Sequence, residues 1–570
     1  MTPGRAAVPR LASLPLAVLA GVLTRLAFPD PGWWPLAVVG VALWTLSLAG
    51  RSAHAGAGLG LVYGLAFFVP LLHWSGVYVG SMPWLALSGL QALYLALLGA
   101  VLAPVLRVAA PGAVRGPDGR RPRWPVAAVV GTSAVAAALW VGQEALRDRT
   151  PFGGFPWGRL AFAQADAPFA PLAALGGAPL VTFAVAWCGT LLGLAVLAAL
   201  PANLPPPSRL RARAGQNRRA LGSTAARIAL PAVAVAAACA ASGLLVPLPT
   251  SGRPVRVAGV QGDVPAAGLD FNAERRAVLD NHARATVRLA DRVRSGTTQR
   301  PDVVIWPENA SDLDPYRQAD ARAVIDAAVD VIGVPVLVGA VLAEPADRLT
   351  NASIVWTPGT GPGERYAKRH PVPFGEYIPY RSFFRAVSSK VDLVRRDFVA
   401  GSRVGTLDLG PVRAGVSICF EVAYDDLVRD TIRDGADLLV AQTNNATFGY
   451  TDEAVQQLAM SRLRAIEHGR AVAHVSTVGV SALIAPDGSQ LTRTGLFTPA
   501  VLEATLPRRT QLTLADRLGG WPEATLAAAG LLGALALMLG RRRSTGRRGP
   551  LESSPSGARD EAARVLTEAG

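Results

Sequence analysis

Three polar residues in this chain stand where their types could act together. Cys419 follows an apolar run, Val412 to Ile418, and is followed at once by an aromatic and a carboxylate, Phe420 and Glu421. A thiol at the end of a strand is a candidate nucleophile, weak while protonated and activated by a base that takes its proton. The other reading of Val416 to Glu421 is a small packing residue beside an acid. Glu308 closes Val304-Ile305-Trp306-Pro307-Glu308, and Lys368 stands in Tyr366-Ala367-Lys368-Arg369-His370. Residues just past strand C-termini converge at one edge of a sheet, so a base, a cation and a thiol are expected to meet. Lysine is scarce: Lys368 and Lys390 stand against 54 arginines. A lysine kept in such a background marks a place where a compact ammonium suits better than a planar guanidinium; Lys390 shows that drift also leaves lysines.

Positioning these groups requires a well-buried α/β domain, and residues 253–508 have the pattern for one. Expected strands are Val255 to Val260, Val303 to Trp306, Val336 to Val341, Ala352 to Trp356, Val412 to Ile418 and Leu438 to Gln442. Ala471 to Ser476 and Ser481 to Ala485 read as a late pair. Helices are expected at Ala273 to Val293, Ala321 to Val331, Asp425 to Arg433 and Glu453 to His468. Short β-rich runs alternating with amphipathic helical ones define an α/β class.

The rest of the chain reads as membrane. Of 570 residues 51% are hydrophobic and 17% charged, and the mean hydropathy is +0.31. Seven apolar runs precede the α/β segment: Leu11 to Phe28, Trp34 to Leu48, Ala57 to Leu72, Trp84 to Leu106, Val126 to Val141, Leu175 to Leu200 and Ile228 to Val246. An eighth, Ala524 to Leu539, is followed by Arg541, Arg542, Arg543, Arg547 and Arg548. The first lacks a small-x-small cleavage site before Pro29 and reads as an uncleaved anchor. Basic loops, Arg107 to Arg123 and Arg209 to Arg227, alternate with loops poor in base, which predicts cytoplasmic ends and an extracytoplasmic α/β domain. The expected division is 1–250 for seven spans, 253–508 for the catalytic domain, 521–540 for the eighth span and 541–570 for a basic, disordered cytoplasmic tail. The net charge of +15 sits in the loops and tail while 253–508 is close to neutral, so topology and not a nucleic-acid groove accounts for it. Cys188 and Cys239 lie in apolar runs, which leaves no disulfide framework. The histidines lack ligand spacing, so neither a metal nor another cofactor is expected.

Glu, Lys and Cys in this order, in Trp-Pro-Glu, Pro-Phe-Gly-Glu and Cys-Phe-Glu contexts, resemble the nitrilase superfamily. With the spans around them, and with Trp140-Val141-Gly142-Gln143-Glu144-Ala145-Leu146-Arg147 and Gly154-Phe155-Pro156-Trp157, the chain is similar to the apolipoprotein N-acyltransferase family. The resemblance implies a four-layer αββα sandwich, with Glu308 as general base, Lys368 near the oxyanion, Cys419 as nucleophile, and Glu376 and Glu421 as supporting carboxylates. It implies a phospholipid acyl donor, a diacylglyceryl apolipoprotein acceptor and a bacterial cytoplasmic membrane. The family's Cys-Tyr-Glu is here Cys419-Phe420-Glu421, and its Asn-Asp-Ala-Trp-Phe-Gly is Asn444-Asn445-Ala446-Thr447-Phe448-Gly449. Segments Val387 to Phe398 and Phe448 to Gln456 are expected to close over an acyl chain, with Phe383, Phe384 and Phe448 against lipid or in ordinary packing. Glu144 and Arg147 are expected to pair at helical spacing, and Trp157 to lie in an interfacial belt or against substrate. A membrane-anchored amide hydrolase and a non-catalytic membrane platform are the competing readings.

Overall fold

The computed structural model describes residues 9–109, 126–199, 217–264, 275–345 and 347–546. Among the described residues eight apolar helices lie where the apolar runs predict them. They are α1 (Arg10–Leu26), α2 (Pro35–Leu48), α3 (Ala53–Leu71), α4 (Ser81–Ala109), α5 (Val126–Arg147), α6 (Ala173–Ala199) and α7 (Asn217–Ser242), with the last at Trp521–Gly546. Five of the eight are long and apolar enough to cross a membrane; those at residues 11–26, 35–48 and 230–245 are shorter apolar helices. Glycines let α3 and α4 touch backbone to backbone. A Cβ on Gly56, Gly60 or Gly64, four residues apart on one face, would lie 2.2–2.7 Å from backbone atoms of Gly99, Leu95 or Ala92. Small residues at this spacing allow close packing where lipid gives helices no hydrophobic drive to associate. The final helix runs on through Arg541–Arg543 to Gly546, so the expected disordered tail does not start at residue 541. Arg547, Arg548, residues 110–123 of the first basic loop and residues 209–216 of the second lie outside the described residues, while the rest of the second forms the start of α7.

Among the described residues twelve strands form two sheets. The first contains β1 (Arg253–Gln261), β2 (Val303–Ile305), β3 (Val336–Leu342), β4 (Thr350–Thr357), β5 (Gly361–Ala367) and β12 (Ala500–Arg508), in the order β12-β1-β2-β3-β4-β5. The second contains β6 (Thr406–Asp408), β7 (Arg413–Ile418), β8 (Leu438–Thr443), β9 (Val472–Ser476), β10 (Ala482–Ile484) and β11 (Gln490–Arg493), in the order β11-β10-β9-β8-β7-β6. Strands β1, β2 and β3 are parallel, as are β7, β8 and β9. Val255, Ile305 and Leu337 of one sheet pack on Val416, Val440 and Val475 of the other. Helices α8 (Arg275–Arg294) and α9 (Ala319–Ile332) cover the outer face of the first sheet. After α10 (Arg381–Val387), helices α11 (Asp425–Arg433) and α12 (Glu453–His468) cover the second. The result is the expected αββα sandwich.

Four strands, β5, β6, β11 and β12, escape the sequence pattern. β5 carries Glu364 and Arg365 on an exposed stretch and β11 alternates at an edge, while β12 is defined by its nine-residue antiparallel register with the distant β1. Edge strands bury too little for periodicity to reveal them.

The link from α5 to α6 clamps the sandwich to the helices. Arg159 bonds Asp425 at 2.8 Å, Trp157 Nε1 donates to Gln456 at 2.7 Å, and Tyr424 OH donates to Gly154 O at 2.9 Å. Glu144 and Arg147 do not pair with each other. Glu144 accepts from Thr182, Trp140 and the Leu160 N–H, while Arg147 donates to the carbonyls of Phe155 and Trp157. Both hold the link, which explains buried charges at a span end.

Candidate active site

Strand direction puts the three residues together. Antiparallel steps from β3 through β4 make β5 run the same way as β2. Glu308, just after β2, and Lys368, directly after β5, therefore share one edge of the first sheet. Cys419 directly follows β7 in the second. Across the gap Gln442 Nε2 donates to Trp306 O at 2.6 Å and Thr477 Oγ1 to Glu308 O at 3.0 Å, which fixes the ends of the two sheets relative to each other.

Lys368 is buried, 1% exposed. Its Nζ lies 3.3 Å from Glu308 Oε1 and 3.0 Å from Glu376. Asn351 Nδ2 donates to the same two carboxylates, at 2.7 and 3.0 Å. The Val372 N–H donates to Glu376 Oε2 at 2.6 Å and closes the loop after Lys368. Burial alone disfavours an ammonium, but Glu308 and Glu376 outweigh it, and Lys368 is held above its ordinary pKa, as a cation. Burial, with the neighbouring Glu376 charge, pushes Glu308 up from the usual carboxylate range against the pull of Lys368. A carboxyl raised in this way is a better match for a thiol proton.

Cys419 sits at φ +55°. A left-handed residue other than glycine or asparagine costs roughly 1–2 kcal/mol, and such strain at a strand-to-turn junction is held by its surroundings. Glu421 supplies the hold. Fully buried, it accepts from the N–H groups of Ile418 (2.8 Å), Arg369 (2.7 Å) and His370 (3.1 Å), and from Tyr366 OH (2.8 Å). One carboxylate thus ties the thiol's turn to the strand end that carries Lys368. Arg464 braces the far side, donating to the carbonyls of Val422 and Ala423. All four partners of Glu421 are donors, so Glu421→Gln leaves an amide N–H facing a donor. A loss of roughly 1–3 kcal/mol is expected, visible as a lower unfolding midpoint of the purified protein; an unchanged midpoint contradicts this account.

The thiol meets Thr443 Oγ1 at 3.5 Å and Gln457 Nε2 at 3.6 Å. Burial first, and then the charge of Glu308, push Cys419 above the ordinary thiol pKa, against the pull of Lys368. It rests as the thiol and needs a base to act. Phe420 stacks on Trp157, centroids 5.8 Å apart and planes 9° apart, and on Phe155 at 5.5 Å. Trp74 continues the aromatic wall to Trp157 (5.1 Å) and Phe448 (5.0 Å). Trp157 is 1% exposed, so it is a packing residue of this wall and not a belt residue. Phe383 is exposed on α10, while Phe384 is partly covered by Phe374 and Phe152. The segment Phe448 to Gln456 is not all loop: α12 begins at Glu453.

Asn351, Tyr366, Thr443, Gln457 and Arg464 escape sequence reasoning. Neutral amides and hydroxyls in apolar strands and helices carry no spacing signal, and Arg464 is one arginine among many; only their burial singles them out.

Two facing sheets with Glu308, Lys368 and Cys419 at their strand ends define a carbon-nitrogen hydrolase domain of the nitrilase type, joined to a body of apolar helices. The Carbon-nitrogen hydrolase family model matches residues 256–513, and the model of the apolipoprotein N-acyltransferase N-terminal domain matches residues 20–191. An apolipoprotein N-acyltransferase of Mycolicibacterium smegmatis is 41% identical over 93% of this chain and 85% of its own length. One from Pseudomonas syringae pv. tomato is 30% identical over 93% and 97%. The chain belongs to the apolipoprotein N-acyltransferase family. Among solved structures, an amidase from Nesterenkonia sp. is similar at 18% identity and a TM-score of 0.35, over 49% of this chain and 98% of that one.

Proposed function

We propose that this chain moves a fatty acyl group from a phospholipid, through a thioester on Cys419, to the α-amine of an N-terminal diacylglyceryl-cysteine in apolipoproteins. The observation that carries the reading is one pocket holding Lys368 against Glu308 beside the Cys419 turn, in a sandwich whose aromatic wall is shared with the link between two apolar helices.

Glu308 takes the thiol proton as Sγ attacks the ester carbonyl. Lys368 stabilises the thiolate and then the oxyanion of the tetrahedral intermediate. Collapse breaks the ester C–O bond; the proton passes from Glu308 to the leaving oxygen, and lysophospholipid departs. The acceptor amine then attacks the thioester carbonyl, the C–S bond breaks, and Glu308 receives the ammonium proton and returns it to sulfur. The thioester must outlive the exchange of lysophospholipid for acceptor, so water has to be kept away. Phe155, Trp157 and Phe420, packed between sandwich and helices, suit that requirement. Intact-mass measurement of the purified protein mixed with phospholipid tests the reading. An acyl mass on Cys419, discharged to a diacylglyceryl-cysteine peptide, is expected. Release of free fatty acid with no acylated peptide would show a hydrolase instead.

The sandwich is placed on the extracytoplasmic side of the bacterial cytoplasmic membrane, and residues 1–250, 253–508 and 521–540 act as helical body, catalytic domain and last span. The alternation of basic and base-poor loops supports this. Gln299 is exposed after α8. Gln299→Cys is expected to react with a membrane-impermeant maleimide in intact spheroplasts; labelling only after lysis would invert the topology.

A further inference from the structure

Glu453 opens α12 and is buried, 2% exposed, yet no cation pairs with it among the described residues. Its hydrogen-bond partner is Asn445 Nδ2, at 2.6 Å. The same Nδ2 donates to Gln457 Oε1 at 3.1 Å, and Asn445 Oδ1 accepts from Ser476 Oγ at 2.5 Å. Gln457 Oε1 accepts a second bond, from Thr443 Oγ1 at 2.7 Å. With its oxygen held by two donors, the Gln457 amide has one orientation, and its Nε2–H is left facing Cys419 Sγ. Glu453 and Gln457 are four residues apart on one helix, so both side chains reach the same pocket.

We propose that Glu453 is a positioning residue for the thiol, fixing through Asn445 and Gln457 the N–H that faces Cys419. The proposal rests on the reading of Cys419 as nucleophile. The N–H is worth most once sulfur carries charge, because donors to an anion are roughly twice as strong as donors to a neutral group. Burial raises Glu453 to about 8, against the Asn445 bond and with help from the Glu308 charge. Near neutral pH it is therefore mainly the uncharged acid, which anchors Asn445 without opposing a thiolate. In alkali its charge adds to that of Glu308 against the thiolate. Among the described residues, the charged and titratable groups facing the pocket are Glu308 after β2, Lys368 after β5 with Glu376 paired to it, and Cys419 after β7. On Glu453's own helix edge, Asp452 is paired with Arg25 of α1.

Alkylation of the full-length protein by iodoacetamide, located at Cys419 by peptide mass, reads the thiolate directly. It needs no lipid, so its outcome is independent of whether acyl transfer is the right reaction. Glu453→Gln keeps an oxygen for Asn445 and removes the titration. Near pH 7 it is expected to alkylate within about twofold of the unsubstituted protein, and near pH 9 about three- to tenfold faster, up to one pKa unit of difference. Glu453→Ala removes the anchor and is expected to alkylate about three- to tenfold more slowly than Glu453→Gln at both pH values. A Gln variant that tracks the unsubstituted protein at both pH values, or an Ala variant that matches the Gln variant, overturns the proposal. An intact alkylation pattern without acyl transfer would instead sink the acyltransferase reading alone.

Discussion

Serine in place of Cys419 is expected to abolish thioester formation and to lower acyl transfer on the order of 10⁴-fold or more, as loss of a nucleophile does in other covalent enzymes. The backbone at this position gives no reason for the variant to misfold. Serine occupies nearly the same volume, and the φ of +55° is held from outside by Glu421 and Arg464, neither of which touches the side chain. The loss is chemical. A hydroxyl is a far weaker acid than a thiol, and Glu308 is suited to a thiol proton even in a pocket that pushes the thiol upward. An ester adduct on serine would also be a poorer acyl donor to an amine than a thioester. Intact mass after incubation with phospholipid checks this. An acyl adduct forming on the serine variant at near the original rate would place the nucleophile elsewhere.

The second large effect is at Glu308, the proposed base. Glu308→Gln is expected to slow thioester formation by about 10²–10⁴-fold, the usual contribution of a positioned general base. Geometry makes the substitution clean. Lys368 and Asn351 both meet Oε1 of Glu308, so an amide oxygen in that place keeps both contacts while the lost charge removes the base. The pH profile separates the two accounts. Glu308 must be ionised to take the proton, and burial raises its pKa. The rate is therefore fully present at higher pH and is lost as pH falls through that raised value, above the ordinary glutamate pKa of about 4.3. Initial rates of thioester formation between about pH 5 and pH 8 should show this acidic limb in the unsubstituted protein and not in Glu308→Gln. A limb that survives in the variant would assign the base to another residue.

How much of this was legible beforehand depends on the kind of signal. The apolar runs, the swing from hydropathic to mixed texture near residue 250 and the loop arginines are properties of consecutive residues. Length and composition write them directly into the chain, and the eight helices follow. The strand ends before Glu308 and Cys419 are legible too, whereas Lys368 stands out by the scarcity of lysine and by its motif, since β5 carries no strand pattern. The expected Glu144–Arg147 pair failed because helical spacing says which residues are neighbours and not which partner is better. Arg147 instead finds the carbonyls of Phe155 and Trp157 at 2.7 and 2.5 Å.

The sequence by itself determined that an α/β domain interrupts a run of apolar helices, that a carboxylate and a thiol close two of its strands, and that a scarce lysine lies between them in the chain. Only the tertiary structure decided that these three meet, since Glu308 and Lys368 belong to one sheet and Cys419 to the other. Bringing them together depends on sheet order and on bonds across the gap, such as Gln442 to Trp306 and Thr477 to Glu308. The same holds for Asn351, Gln457 and Glu453. A buried polar side chain must find a partner or lose the free energy of its solvation, and which partner it finds is a property of packing, invisible until distant segments are laid side by side.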